Sequence, residues 1–125
     1  LIGKSGIQGL ILQALAQYFA RAQWTDGVWI EERAVFVNAD TLHRDWPDLT
    51  GEFRPKMATL RKGLKSLSIG GTVRRRAPTS TKQKRYWKLS AEDVHRASIN
   101  LQIGDPDRMD DLLINGVEVE YGRAH

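Results

Sequence analysis

Phe53-Arg-Pro-Lys-Met-Ala-Thr-Leu-Arg-Lys-Gly-Leu-Lys-Ser-Leu67, followed by Thr72-Val-Arg-Arg-Arg76 and Gln83-Lys-Arg-Tyr-Trp-Lys-Leu89, is the stretch whose reading decides the fold. Phe53, Met57, Leu60, Leu64 and Leu67 recur at helical spacing and predict one apolar stripe on a helix from about Glu52 to Ser68. At about 100° per residue, that stripe centres roughly a third of a turn from Arg54, Arg61, Lys62 and Lys65. Thr50 is a cap for this helix, and Pro55 fits its first turn, where a missing N–H costs nothing. Gly70-Gly71 then breaks the helix. Thr72 to Arg76 and Lys84 to Leu89 read as two strands joined by Ala77-Pro78-Thr79-Ser80-Thr81, a β-hairpin with a polar, basic tip. Strand alternation puts Arg74 and Arg76 on one face and Arg75 on the other; Arg85, Trp87 and Leu89 share one face, Tyr86 and Lys88 the other.

The charge of this stretch is one-sided. Between Glu52 and Glu92 there is no acidic residue, while the 39 positions from Phe53 to Ala91 carry twelve Lys or Arg. The other 86 residues hold seven basic and fifteen acidic residues, so a net charge of +4 conceals a +12 block beside a −8 remainder. Segregated positive charge makes a local field whose most common partner is a polyphosphate. On the helix the cations recur without an interleaved Glu or Asp to pair them at i,i+4, so an external anion is expected to offset their repulsion.

Working outward, Ile7 to Gln23 reads as a helix, with Ile7, Leu10, Ile11, Ala14, Leu15, Tyr18, Phe19 and Ala22 at helical spacing. Asp26-Gly27 is a turn signal. Val28 to Val37 is either a small hairpin or one irregular strand. Asn38 caps a short helix from Ala39 to Trp46, which Pro47 ends, because the residue before a proline disfavours helical angles. Ser90-Ala91-Glu92-Asp93 starts a further helix running to about Asn100. From Glu92 to His125 the balance reverses to eight acids against three Arg. Gly104-Asp105-Pro106 is a break. Arg108 to Ile114 fits a short helix, and Val117, Val119 and Tyr121 alternate like an edge strand. Trp24, Trp29, Trp46 and Trp87 are assigned to the core or its rim, whereas Tyr86 is open to contact with a sugar or phosphate.

With 125 residues, of which 41% are hydrophobic, the chain fits one compact core. Its apolar runs are too short to span a membrane, and Leu1 to Ile7 is no signal peptide. The chain begins at Leu1 rather than Met and reads as a piece of a longer protein. The absence of Cys rules out disulfides and thiolate zinc sites and is compatible with a reducing cytoplasm. His43, His95 and His125 stand in no metal spacing. The acids from Asp105 to Asp111 lack the calcium-loop pattern, and there is no Ser/His/Asp elbow motif, so neither cofactor nor catalysis is expected. Gly3-Lys4-Ser5 lacks the context of a phosphate loop.

Helix, strand element, short helix, turn, basic amphipathic helix, basic hairpin and helix, in that order from Ile7 to Arg96, resemble a winged helix-turn-helix DNA-binding domain. Asn38-Ala-Asp-Thr-Leu-His-Arg-Asp-Trp46 corresponds to the first helix of the turn motif and Phe53 to Leu67 to the recognition helix. Thr72 to Arg76 with Gln83 to Leu89 corresponds to the wing. The pattern is also similar to domains appended to phage and mobile-element primase–helicase proteins. The resemblance implies an α+β, mainly helical fold: a three-helix core with a basic wing over residues 1–103, and an acidic extension over 104–125. It further implies a recognition helix in the major groove and a wing on the flanking backbone.

The expected function is duplex DNA binding, as a module of a larger replication, recombination or regulatory protein of bacterial or phage origin in the cytoplasm. Arg54, Lys56, Thr59 and Arg61 are candidates for base edges. Lys62, Lys65, Arg74, Arg75, Arg76, Lys82, Lys84, Arg85 and Lys88 are candidates for the backbone. Two alternatives stand beside it: a protein-interaction module that meets an acidic partner, and single-strand binding with Tyr86 or a tryptophan as a stacking platform. The acidic end is expected to lie away from the DNA face and to support self-association.

Overall fold

The computed structural model describes residues 6–20, 27–76 and 82–101. Along the chain come helix α1 (Gly6–Ala20), strands β1 (Val28–Glu31) and β2 (Ala34–Val37), helices α2 (Ala39–Thr50) and α3 (Met57–Leu67), strands β3 (Ser68–Arg76) and β4 (Gln83–Ser90), and helix α4 (Ala91–Leu101). The class is α+β, with four helices and one antiparallel sheet of order β1-β2-β4-β3 among the described residues. Trp24, the hairpin tip at 77–81 and the whole acidic extension, with its expected helix and edge strand, lie outside them.

Alternation along the strands sorts the interior into two parts. Val28, Ile30, Val35, Val37, Trp87 and Leu89 face the helices and join Ile11, Leu15, Leu42, Trp46, Leu60, Leu64 and Val94 in the main core. On the opposite face Trp29, Ala34, Phe36 and Tyr86, with Val73 against them, form a separate cluster that includes no described helix residue. Helix α1 runs through the middle and touches α2, α3 and α4. Gly63 allows α3 to close on α1, because a Cβ there would stand 2.8 Å from Ile11 Cδ1 and 3.0 Å from Ile7 Cγ2.

Val28 to Val37 is a hairpin, which settles one open alternative. Glu32 and Arg33 turn the chain with φ of 51° and 63°, the left-handed pair that a two-residue turn needs to match strand twist. The turn is fastened to α4, where the Ala91 N–H donates to the Arg33 carbonyl at 3.2 Å and Arg33 Nη2 meets Glu92 Oε1 at 2.7 Å. Ser90 Oγ accepts from the Asp93 N–H at 3.3 Å, the start signal read in the sequence.

The boundaries between Trp46 and Thr72 differ from expectation. Helix α2 does not stop at Pro47 but runs through it to Thr50. Trp46 and Leu49 are 1% and 3% exposed, and anchoring both in the core outweighs the local cost of the proline. Pro47 has no N–H for the His43 carbonyl. Arg54 supplies the missing donor, with Nε on His43 O and Nη2 on Arg44 O, both at 2.8 Å. Thr50 closes α2 instead of opening α3: its hydroxyl donates to Trp46 O at 2.8 Å and accepts from the Glu52 N–H at 3.1 Å. Gly51, with φ of 73°, ends the helix by donating to Pro47 O at 2.8 Å. Helix α3 therefore starts only at Met57, with Lys56 in the N-cap position and no side-chain cap bond. Phe53 is not part of the apolar stripe; it is 97% exposed. Gly70 and Gly71, with φ of 66° and 83°, do not separate helix from strand but form an irregularity within β3, between Ser68 and Thr72.

Candidate nucleic-acid interface

Helix α3 has two opposed sides. Leu60, Gly63, Leu64 and Leu67 are buried, while Ala58, Arg61, Lys62, Lys65 and Ser66 are exposed. At about 100° per residue the two groups centre roughly half a turn apart, because Gly63 joins the buried side and Ala58 and Ser66 the exposed one. The cations thus point directly away from the core. Thr59, also exposed, sits on the flank of that face, and Lys56 precedes the first turn.

The β3–β4 hairpin sets like charges against each other. Arg74 pairs with Arg85, Arg75 with Lys84, and Arg76 with Gln83. Like charges directly opposite on a ladder destabilise it by about 0.2–1 kcal/mol each. Alternation sends Arg74, Arg76 and Arg85 to the helix side of the sheet and Arg75 and Lys88 towards the back; Lys84, opposite Arg75, lies at the hairpin's edge and also lines the helix-side cleft.

On the helix side, the start of α2, the exposed flank of α3 and the hairpin enclose an open cleft of about 460 Å³ lined by Asn38, Asp40, Arg61, Arg74, Lys84, Arg85 and Trp87 among others. Asn38 fixes its floor. The side-chain oxygen accepts from the N–H groups of Asp40 and Thr41 at 3.0 and 3.2 Å, and its amide donates to the Arg85 carbonyl at 3.2 Å. One side chain therefore caps α2 and ties β4 to it. The Arg85 guanidinium lies 5.7 Å from the Trp87 ring centroid. Arg61 Nη2 reaches Asp40 Oδ1 only at 4.0 Å, with both side chains more than half exposed.

Other expected site residues are placed elsewhere. Arg54 is not on the recognition face of a helix; its guanidinium serves the α2 carbonyls. Arg75 lies on the back of the sheet, 4.8 Å over the Trp29 ring and 3.0 Å from Glu31. Lys88 is also on the back, with Nζ 6.0 Å from the Phe36 ring. Lys82 is exposed just before β4. Tyr86 is 0% exposed and meets Trp29 edge-on at 4.7 Å, so it touches neither sugar nor phosphate. Trp29, Trp46 and Trp87 are buried as well, so none of these three rings is placed to stack on a base. Phe53, the exposed aromatic among the described residues, was missed by the periodicity. The signal was Pro55, which holds Arg54 out of the helical region and so leaves Phe53 outside the helix.

Among the described residues no helix is long and apolar enough to cross a membrane, and no three His, Asp or Glu side chains cluster to hold a metal. No family model, curated protein or solved structure matches this chain.

Proposed function

We propose that this domain is a winged helix that docks on duplex DNA as a module of a larger replication, recombination or regulatory protein. Helices α2 and α3 form the turn motif, α3 enters the major groove, and the β3–β4 hairpin is the wing on the flanking backbone. The observation that carries this reading is the convergence of Arg61 with the cross-strand pair Arg74 and Arg85 on one open cleft, where Asp40 is the carboxylate in the lining. Repulsion among these guanidinium groups is relieved when a phosphate enters. Lys56, Thr59 and Arg61 in the first half of α3 are the candidates for base edges. Lys62, Lys65, Arg74, Arg76, Lys84 and Arg85 are the candidates for phosphates. Arg54 belongs to the scaffold: it fixes the connection between α2 and α3 and with it the angle at which α3 is presented. Burial of Trp29, Trp46, Trp87 and Tyr86 favours a duplex over a single strand.

Fluorescence anisotropy with a labelled duplex across a salt series tests this. The double variant Arg61→Ala, Lys65→Ala should bind more weakly, with a log–log salt slope flatter by about one unit per lost phosphate contact. Both side chains are exposed, so its circular dichroism and melting should match the parent. Unchanged affinity with an unchanged slope would remove α3 from the interface.

A further inference from the structure

The ion pair between Arg75 and Glu31 joins opposite corners of the sheet. Glu31 pairs with Ala34 and Ala34 with Ser90, whereas Arg75 pairs with Lys84. Measured along β4, the two residues stand six positions apart, and with β2 and β4 between them they are three strand spacings apart. In a flat sheet that is about 20 Å along the strands and about 14 Å across them, beyond the reach of the two side chains. Arg75 Nη2 nevertheless meets Glu31 Oε1 at 3.0 Å, with both side chains a little over a third exposed. The same oxygen accepts from Trp29 Nε1 at 3.2 Å, and the guanidinium lies 4.8 Å over the Trp29 ring. Twist and coiling of the sheet bring these corners together across its back.

This closure bears on the hairpin. Arg74, the chain neighbour of Arg75, and Lys84, its cross-strand partner, both line the cleft. Whatever holds residue 75 therefore decides how far Arg74, Lys84 and Arg85 lean towards Arg61. A partly exposed ion pair adds little to stability by itself, so its consequence lies in position. We propose that Glu31 and Arg75 form a clasp that sets the lean of the β3–β4 hairpin over α2 and α3, and with it the fit of the cleft to a phosphate of the duplex. Both are positioning residues, and neither touches the ligand. The ligand rests on the DNA reading, whereas the lean is a property of the free chain.

Glu31→Ala and Glu31→Gln lose the same charge, but only glutamine keeps an acceptor for Arg75 and Trp29. In residual dipolar couplings of the free ¹⁵N chain, the β3–β4 amides should reorient relative to those of α2 and α3 in Glu31→Ala, and much less in Glu31→Gln. In anisotropy titrations with a labelled duplex, Glu31→Ala should bind at least about threefold more weakly than Glu31→Gln. Loss of an acidic charge alone would instead make the two variants bind alike, and both more tightly than the parent. Glu31→Val, with the same charge and a stronger strand preference, takes the place of the alanine variant if that one does not fold. An unmoved hairpin in Glu31→Ala would overturn the clasp, whatever the affinity. A hairpin that moves while the two variants bind alike would overturn its link to the cleft. A parent chain that binds no duplex would overturn the DNA reading instead, and the couplings would still decide the clasp.

Discussion

Asp40 is the residue whose charge opposes the cleft it stands in. It lies in the first turn of α2, where a carboxylate favours the helix dipole, but Asn38 already provides the cap. Its distance from Arg61 and its exposure make the pair weak. A bound phosphate would face the carboxylate across the same space. Asp40→Asn keeps the shape, frees Arg61 and removes a like charge from the ligand's surroundings. At surface dielectric that repulsion is on the order of 1 kcal/mol. Duplex affinity should therefore rise by roughly fivefold in low salt. Folding stability should fall by no more than about 1 kcal/mol, the upper range for a surface dipole contact. Titration of labelled duplex checks the first figure and urea unfolding the second; unchanged or weaker binding would show that Asp40 does not face the ligand.

At the scale of elements, the joint between α2 and α3 rests on one compensation. Pro47 removes a helical donor, and Arg54 replaces it from the following loop. His43 Nε2 lies 2.9 Å from the Pro55 carbonyl and joins the same loop to α2. Arg54→Ala should destabilise the domain by about 1 kcal/mol. In a Pro47→Ala background residue 47 regains its N–H, so Arg54→Ala should cost less, with a coupling of roughly 0.5 kcal/mol or more. Strict additivity in urea unfolding would mean that the two do not compensate. Sequence rules failed at this joint for a physical reason: a proline's effect is local, whereas the placement of Trp46 and Leu49 in the core is decided by the whole fold. The caps at Asn38 and Ser90 were legible because each depends on a few neighbouring residues. A second joint, between the β1–β2 turn and α4, responds to pH. The Arg33 hydrogen bond, and then its charge, hold the Glu92 carboxyl below its ordinary value. A lowered folded value means that the contribution is complete above the ordinary glutamate range and disappears as acid titrates the folded group. The small stability difference between the parent and Glu92→Gln should therefore be present at neutral pH and vanish in acid, as read from melting temperatures across a pH series.

For the molecule as a whole, the sequence announced that a cationic surface exists but not which cations share it. Twelve basic residues form one block in the chain, yet folding divides them: Arg61, Arg74, Lys84 and Arg85 line the cleft, Arg54 braces α2, and Arg75 and Lys88 lie over aromatic rings at the back. Strand alternation foretold the split within the hairpin. No local pattern could foretell that Arg61 would meet the hairpin across the start of α2, because that contact depends on how α3 packs on α1. The opposed sides of α3 also bear on kinetics. Arg61, Lys62 and Lys65 all point away from the core, so the domain has an electrical front that a polyanion can turn towards itself during diffusion. Such steering acts on encounter more than on residence. Stopped-flow mixing with duplex should show association slowing steeply as salt rises while dissociation changes much less. The Arg61→Ala, Lys65→Ala variant should arrive more slowly than the parent at low salt, and the gap should narrow at high salt, where the steering field is screened.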